Sequence, residues 1–164
     1  MWVFLNDRFV PEQDAKISVF DHGFLYGDGV YETIRSYGNR IFMRDHHLSR
    51  LQRSADAIGL TVPIPLSEWP RLLHEAMDRN ELGNEQTDAY LRITVSRGVG
   101  EIGLDPALCP TPTVVIMAKP LHPPAAEQYR RGVSLIVAHT RRNLPSALSP
   151  QIKATNFLNN FLAK

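Results

Sequence analysis

The hydrophobic pattern of the chain changes period several times in its 164 residues. Val3-Phe4-Leu5 and Phe9-Val10 flank the polar triplet Asn6-Asp7-Arg8, which predicts a small hairpin. Val30 to Tyr37 is rich in β-branched and aromatic residues. Gly38-Asn39 and then Ile41-Phe42-Met43 follow it, predicting a second hairpin. Between the two lies Asp21-His22-Gly23-Phe24-Leu25-Tyr26-Gly27-Asp28-Gly29, where closely spaced glycines allow positive φ or a close backbone approach.

The period then becomes helical. Leu48, Leu51, Ala55 and Ile58 recur at steps of three and four, predicting a helix capped by Asp45 and running to about Leu60. Ser67 is the expected cap of a second helix that tolerates Pro70 in its first turn and buries Leu72, Leu73, Ala76 and Met77. Ala89 to Val95 and Thr113 to Ala118 read as strands. The prolines at 120, 123 and 124 block helix and ladder alike and mark a connector. Beyond it a strand is expected over Val133 to His139. An irregular polar stretch follows over Thr140 to Pro150, and an amphipathic helix opens at Asn156. The order predicts an α/β (α+β) fold. An N-terminal domain is expected over 1–118, a Pro-rich interdomain connector over 119–128, and the start of a second domain over 129–164, a piece too short to bury its own core.

Composition narrows the classes. A formal net charge of +1 gives no reason to invoke nucleic acid or an anionic membrane as a partner. No apolar stretch approaches the length of a membrane span or a signal-peptide core. The single cysteine, Cys109, excludes an internal disulfide and fits a reducing, cytoplasmic setting. His46-His47 has no further ligand at metal spacing, so no metal site is expected.

Only four residues are lysines: Lys16, Lys119, Lys153 and Lys164. Lys153 stands at a loop-to-helix junction among apolar residues, where desolvation frees an amine as a nucleophile. On that context alone, a solvated surface lysine is the commoner outcome. Tyr31 offers a hydroxyl on an apolar strand, or is a half-buried strand tyrosine. Alternation puts Tyr90 and Arg92 on one face of their strand, where Arg92 either binds a carboxylate or pairs with an acid across the sheet.

The stretch Ser149-Pro150-Gln151-Ile152-Lys153-Ala154-Thr155-Asn156-Phe157-Leu158-Asn159-Asn160 resembles the lysine segment of class IV (fold type IV) pyridoxal-phosphate-dependent aminotransferases. Residues 21–35, from Asp21-His22-Gly23 to Thr33-Ile34-Arg35, resemble the first block of that family. His47-Leu48-Ser49-Arg50-Leu51 is similar to its helix motif, and Gly103-Leu104-Asp105-Pro106 to a loop of the branched-chain amino-acid group. The resemblance implies that Lys153 holds pyridoxal 5'-phosphate as a Schiff base and later shuttles the proton. It implies that Arg50 binds the cofactor phosphate, and that Tyr26, Tyr31, Arg35, Tyr90 and Arg92 surround the substrate. The implied reaction is transamination of branched-chain L-amino acids with 2-oxoglutarate, in an assembly of at least two subunits.

Phe157 departs from the family, where many branched-chain members carry a tyrosine that hydrogen-bonds the cofactor hydroxyl. The first block is shared with D-amino-acid transaminases and aminodeoxychorismate lyases, which stand as alternatives. Family members are nearly twice as long. Their other half supplies the glutamate that pairs with the pyridine nitrogen, so a non-catalytic truncated fragment is the remaining alternative.

Overall fold

The computed structural model describes residues 1–84 and 87–164. The first hairpin forms as expected: β1 (Trp2–Leu5) pairs antiparallel with β2 (Arg8–Pro11), and Asn6 takes a left-handed φ of 60° at the turn. The glycine-rich segment is not all loop. It holds a short helix, α1 (His22–Tyr26), capped by the Asp21 carboxylate, which accepts from Gly23 N at 2.8 Å. Gly27 closes the helix with φ 70°, a conformation that glycine adopts without steric cost.

β3 (Gly29–Tyr37) and a two-residue β4 (Arg40–Ile41) make the second hairpin, shorter than the expected run to Met43. Met43 itself is left-handed, with φ 47°, and the chain turns there into α2 (Arg44–Asp56). Asp45 is therefore not the cap. It lies inside the first turn, and its carboxylate takes Arg44 Nε at 2.8 Å instead of a helix N–H. α2 also stops before Leu60, because Gly59 turns back at φ 58° and donates to Asp56 O. Ser67 does not cap α3 (Trp69–Asp78), which begins after Glu68 with no side-chain cap.

β5 (Ala89–Ser96) and β6 (Thr113–Pro120) complete a six-stranded antiparallel sheet of order β2-β1-β6-β5-β3-β4. Strand alternation sends Val30, Ile34, Leu91, Ile93, Val95, Val114 and Ile116 to one face. There they pack with Leu48, Leu51 and Ala55 of α2 and Trp69, Leu72, Leu73, Ala76 and Met77 of α3. The opposite face, with Tyr31, Thr33, Arg35, Tyr90, Arg92 and Thr94, carries no helix from this part of the chain.

Past β6 the expectations fail in three places. The connector ends in a short helix, α4 (Ala126–Arg131). Val133 to His139 is not a strand: it finds no ladder partner among the described residues, and Val137 is 97% exposed. β-branched residues favour a strand only when a sheet edge offers hydrogen bonds. The last helix, α5 (Leu158–Leu162), starts two residues later than expected. No described helix is long and apolar enough to cross a membrane.

Candidate active site

The site grows from the N-terminal end of β3. One edge of that strand is paired with β5 from Gly29 to Arg35. The other edge is free until β4, and the lysine segment fills it. Tyr31 N donates to Lys153 O at 3.0 Å, Thr155 N donates to Gly29 O at 2.9 Å, and Val30 and Ala154 form an antiparallel bridge. Lys153 N donates to Ser54 Oγ on α2 at 3.1 Å, and Thr155 Oγ1 donates to Gly27 O at 2.8 Å. The backbone of Lys153 is thus tied to both a strand and a helix of the sheet domain. Gly29 permits this approach. A Cβ there would stand 2.8 Å from Val95 O and 3.3 Å from Thr155 Oγ1.

With its backbone held, Lys153 aims its amine at Tyr31. Nζ donates to the Tyr31 hydroxyl at 2.9 Å and lies 4.1 Å from the ring centroid. No carboxylate pairs with Lys153 among the described residues. Lys16, Lys119 and Lys164 are all exposed, whereas Lys153 is half-buried. Tyr31, Arg50, Asn143, Lys153, Phe157 and Asn160 line a cleft of about 270 Å³. The Phe157 ring lies 5.1 Å from that of Tyr31, so Phe157 contributes ring packing and no hydrogen bond.

Arg50 reaches the cleft from α2 and is held by an acid. Its Nε donates to Glu32 Oε1 at 2.5 Å and its Nη2 to Oε2 at 2.7 Å. His47 Nδ1 lies 2.9 Å from the same Oε2. Burial pushes the Glu32 carboxyl up, but the hydrogen bonds and charges of Arg50 and His47 outweigh it, and the group lies below its ordinary range. It is ionised at neutral pH.

The expected substrate residues divide into two groups. Tyr31, Arg35, Tyr90 and Arg92 share the open face of the sheet, as alternation requires. The Arg92 guanidinium lies 4.2 Å from the Tyr31 centroid, and the Tyr90 hydroxyl is 3.4 Å from Thr33 Oγ1. Burial raises the Tyr90 phenol. Hydrogen bonds to Thr33 and Arg92, with the charges of Arg92 and Lys153, outweigh that and leave it below its ordinary value. Arg35 sits at the far end of the face, bonded to Asp88 at 2.6 Å and stacked 4.1 Å from the Tyr37 centroid. Tyr26 is apart from them: it is exposed at the end of α1 and packs edge-on against His22, outside the cleft lining. Leu104, in the β5–β6 loop, is 86% exposed.

Glu32 and Ser54 are not candidates on sequence grounds, and His47 is one only as a metal ligand and as part of the helix motif. Glu32 did leave a signal. It is a charged residue at an inward position of an apolar strand, two positions from Val30 and two from Ile34. Such a carboxylate needs partners, and His47 and Arg50, at i and i+3 on one helix face, supply them.

A lysine amine with no acid beside it among the described residues, facing a cleft that an arginine also lines, fits the family whose model the sequence matches. That model, "Amino-transferase class IV", covers residues 29–164. The chain belongs to the class IV aminotransferases. A putative branched-chain-amino-acid aminotransferase of Methanocaldococcus jannaschii is 43% identical over the whole chain, which covers 54% of that relative. An aminodeoxychorismate lyase of Bacillus subtilis is 32% identical, with 99% of this chain and 53% of the relative covered. The T.th. branched-chain amino acid aminotransferase, solved with N-(5'-phosphopyridoxyl)-L-glutamate, superposes with a TM-score of 0.88 at 27% identity. That superposition covers 99% of this chain and 53% of the other. The fold is that of the fold type IV aminotransferases, a class that uses pyridoxal 5'-phosphate. The chain spans about half the length of the curated relatives it matches.

Proposed function

We propose that this chain carries the lysine-bearing part of a pyridoxal-phosphate-dependent aminotransferase acting on branched-chain L-amino acids, with 2-oxoglutarate as acceptor. The observation that carries the reading is the Lys153 amine, with no acid beside it among the described residues, pointing into a cleft that Arg50 also lines. The donor set fits the cofactor: an amine for an aldehyde, and a guanidinium fork for a phosphate.

When bound, pyridoxal 5'-phosphate supplies the aldehyde carbon and the electron sink for the α-carbon's electron pair. The rest falls to side chains. Lys153 Nζ holds the cofactor at rest and, once displaced by the substrate amine, takes the proton from the substrate α-carbon. The Tyr31 hydroxyl, 2.9 Å from Nζ, orients that amine. Arg50 binds the phosphate. Tyr31, Tyr90 and Arg92 receive the substrate, with Arg92 taking the carboxylate. Tyr26 and Arg35 complete the substrate-binding set, Tyr26 from the adjoining subunit of a homodimer or higher oligomer. The exposed Phe24, Leu25 and Ile102 support such an assembly.

The same reading divides the chain into an N-terminal domain over 1–118, a connector over 119–128 and part of a cofactor domain over 129–164. The free Cys109 supports a reducing cytoplasm.

Borohydride reduction of the natural full-length protein is expected to fix the cofactor on Lys153. Label on Lys16, Lys119 or Lys164, or none, overturns the assignment. Leucine, isoleucine and valine are expected to react with 2-oxoglutarate. Activity on D-alanine alone, or release of pyruvate from aminodeoxychorismate, moves the protein to the D-amino-acid or lyase branch.

A further inference from the structure

Among the described residues, the acids Asp21 and Glu32 are both buried, at 1% and 0% exposure. Glu32 sits inward on β3 between Val30 and Ile34, with a side-chain exposure of 0%. Burying a carboxylate is costly, and a well-packed apolar pair usually ties a strand to a helix at least as well. Strand-to-helix adhesion therefore does not account for it. The pair differs from an apolar contact in what it does to Arg50. That side chain is 44% exposed and lines the Lys153 cleft, so nothing apolar would hold its long stem in one rotamer. Glu32 takes Nε and Nη2 together, a two-point grip that sets the plane of the guanidinium. Nη1 is left with no protein partner among the described residues. His47 fixes the grip from behind. His47 Nδ1 lies 2.9 Å from Oε2 and 3.2 Å from Arg50 Nη2, and in the tautomer that carries hydrogen on Nδ1 it donates to the carboxylate.

We propose that Glu32, backed by His47, is a positioning residue that holds the free Nη1 edge of Arg50 toward the cofactor phosphate; this rests on the assignment of Arg50 made above. Two effects of Glu32 oppose each other. Its charge offsets that of Arg50 and weakens attraction for an anion. Its grip removes the rotamer freedom that Arg50 would otherwise lose on binding. The inference is that the grip dominates.

The affinity of the full-length protein for pyridoxal 5'-phosphate, divided by its affinity for pyridoxal, isolates the phosphate contribution. Both are read from the absorbance of the lysine adduct, without any turnover. E32Q keeps the size of the side chain and is expected to cut that ratio about tenfold, leaving pyridoxal affinity unchanged. In an R50Q background, E32Q is expected to change the ratio no further. A residue that only braces the fold would lower both affinities together. An unchanged or increased ratio in E32Q overturns the inference. If E32Q does not fold, E32D retains the charge but shortens the reach, and an unchanged ratio there overturns it equally. Loss of the ratio in R50Q but not in E32Q overturns the role of Glu32 alone. An intact ratio in R50Q overturns the assignment of Arg50 beneath it.

Discussion

Lys153 Nζ and the Tyr31 hydroxyl lie 2.9 Å apart, although 122 residues separate them in the chain. The contact is set by backbone pairing, because Tyr31 N donates to Lys153 O at 3.0 Å in the same pair of residues. The two side chains therefore meet on the same side of the edge of β3, and among the described residues the amine has a single hydrogen-bond partner to orient it.

Replacing Tyr31 with phenylalanine keeps the ring contact with Phe157 and removes only the hydroxyl. In the full-length protein, kcat is expected to fall about tenfold, the scale of one lost hydrogen bond. Tm should move by no more than about 4 °C, because the ring stays packed. Steady-state kinetics with a thermal scan of the same preparation checks both. An unchanged kcat would show that the hydroxyl does not orient Nζ during turnover.

The Glu32 cluster makes stability depend on pH in a definite direction. Burial raises the carboxyl, but Arg50 and His47 lower it further, so the folded value lies below the ordinary 4.5. A group whose value is depressed on folding binds fewer protons in the native state. Its contribution is complete above the unfolded value and is lost as pH falls through the folded one. Urea unfolding between neutral pH and about pH 3 should therefore show a loss of stability on the acid side, and E32Q should flatten that slope. Equal slopes in both proteins would remove Glu32 from the account.

Gly29 is required by space. An alanine Cβ would meet Val95 O at 2.8 Å, a backbone atom that cannot swing away, and Thr155 Oγ1 at 3.3 Å. G29A is expected to lose about 2 kcal/mol of stability, as overpacking does. Most of the strain falls on the pairing of β3 with β5, and the Thr155 contact passes part of it to the lysine segment, so the yield of borohydride trapping should drop as well. Denaturant unfolding and peptide mapping test the two effects. A neutral G29A would mean that β5 yields at Val95 and Ser96.

Which elements were legible from the residues, and which were not, follows from how far each depends on partners. The strands β1, β3, β5 and β6 and the buried faces of α2 and α3 were readable because a period of 2 or 3.6 records which side meets the core. The shared face of Tyr90 and Arg92 follows from the same alternation. The role implied for Lys153 came from motif resemblance, since its neighbours alone describe a surface lysine.

The rest depended on residues far apart in sequence. Asp45 has the chemistry of a cap, yet Met43 turns the chain and Arg44 claims the carboxylate. Val133 to His139 has strand composition but no partner edge among the described residues, so composition had nothing to act on. The inward position of Glu32 marks it as an acid in need of a partner, but not which partner, because 18 positions and a hairpin lie between it and Arg50. Ser54 is an ordinary helix serine until the lysine segment arrives from 99 residues away. Periodicity records burial, which each element expresses alone. Hydrogen bonds and ion pairs need two partners, and only the folded register determines which residues meet.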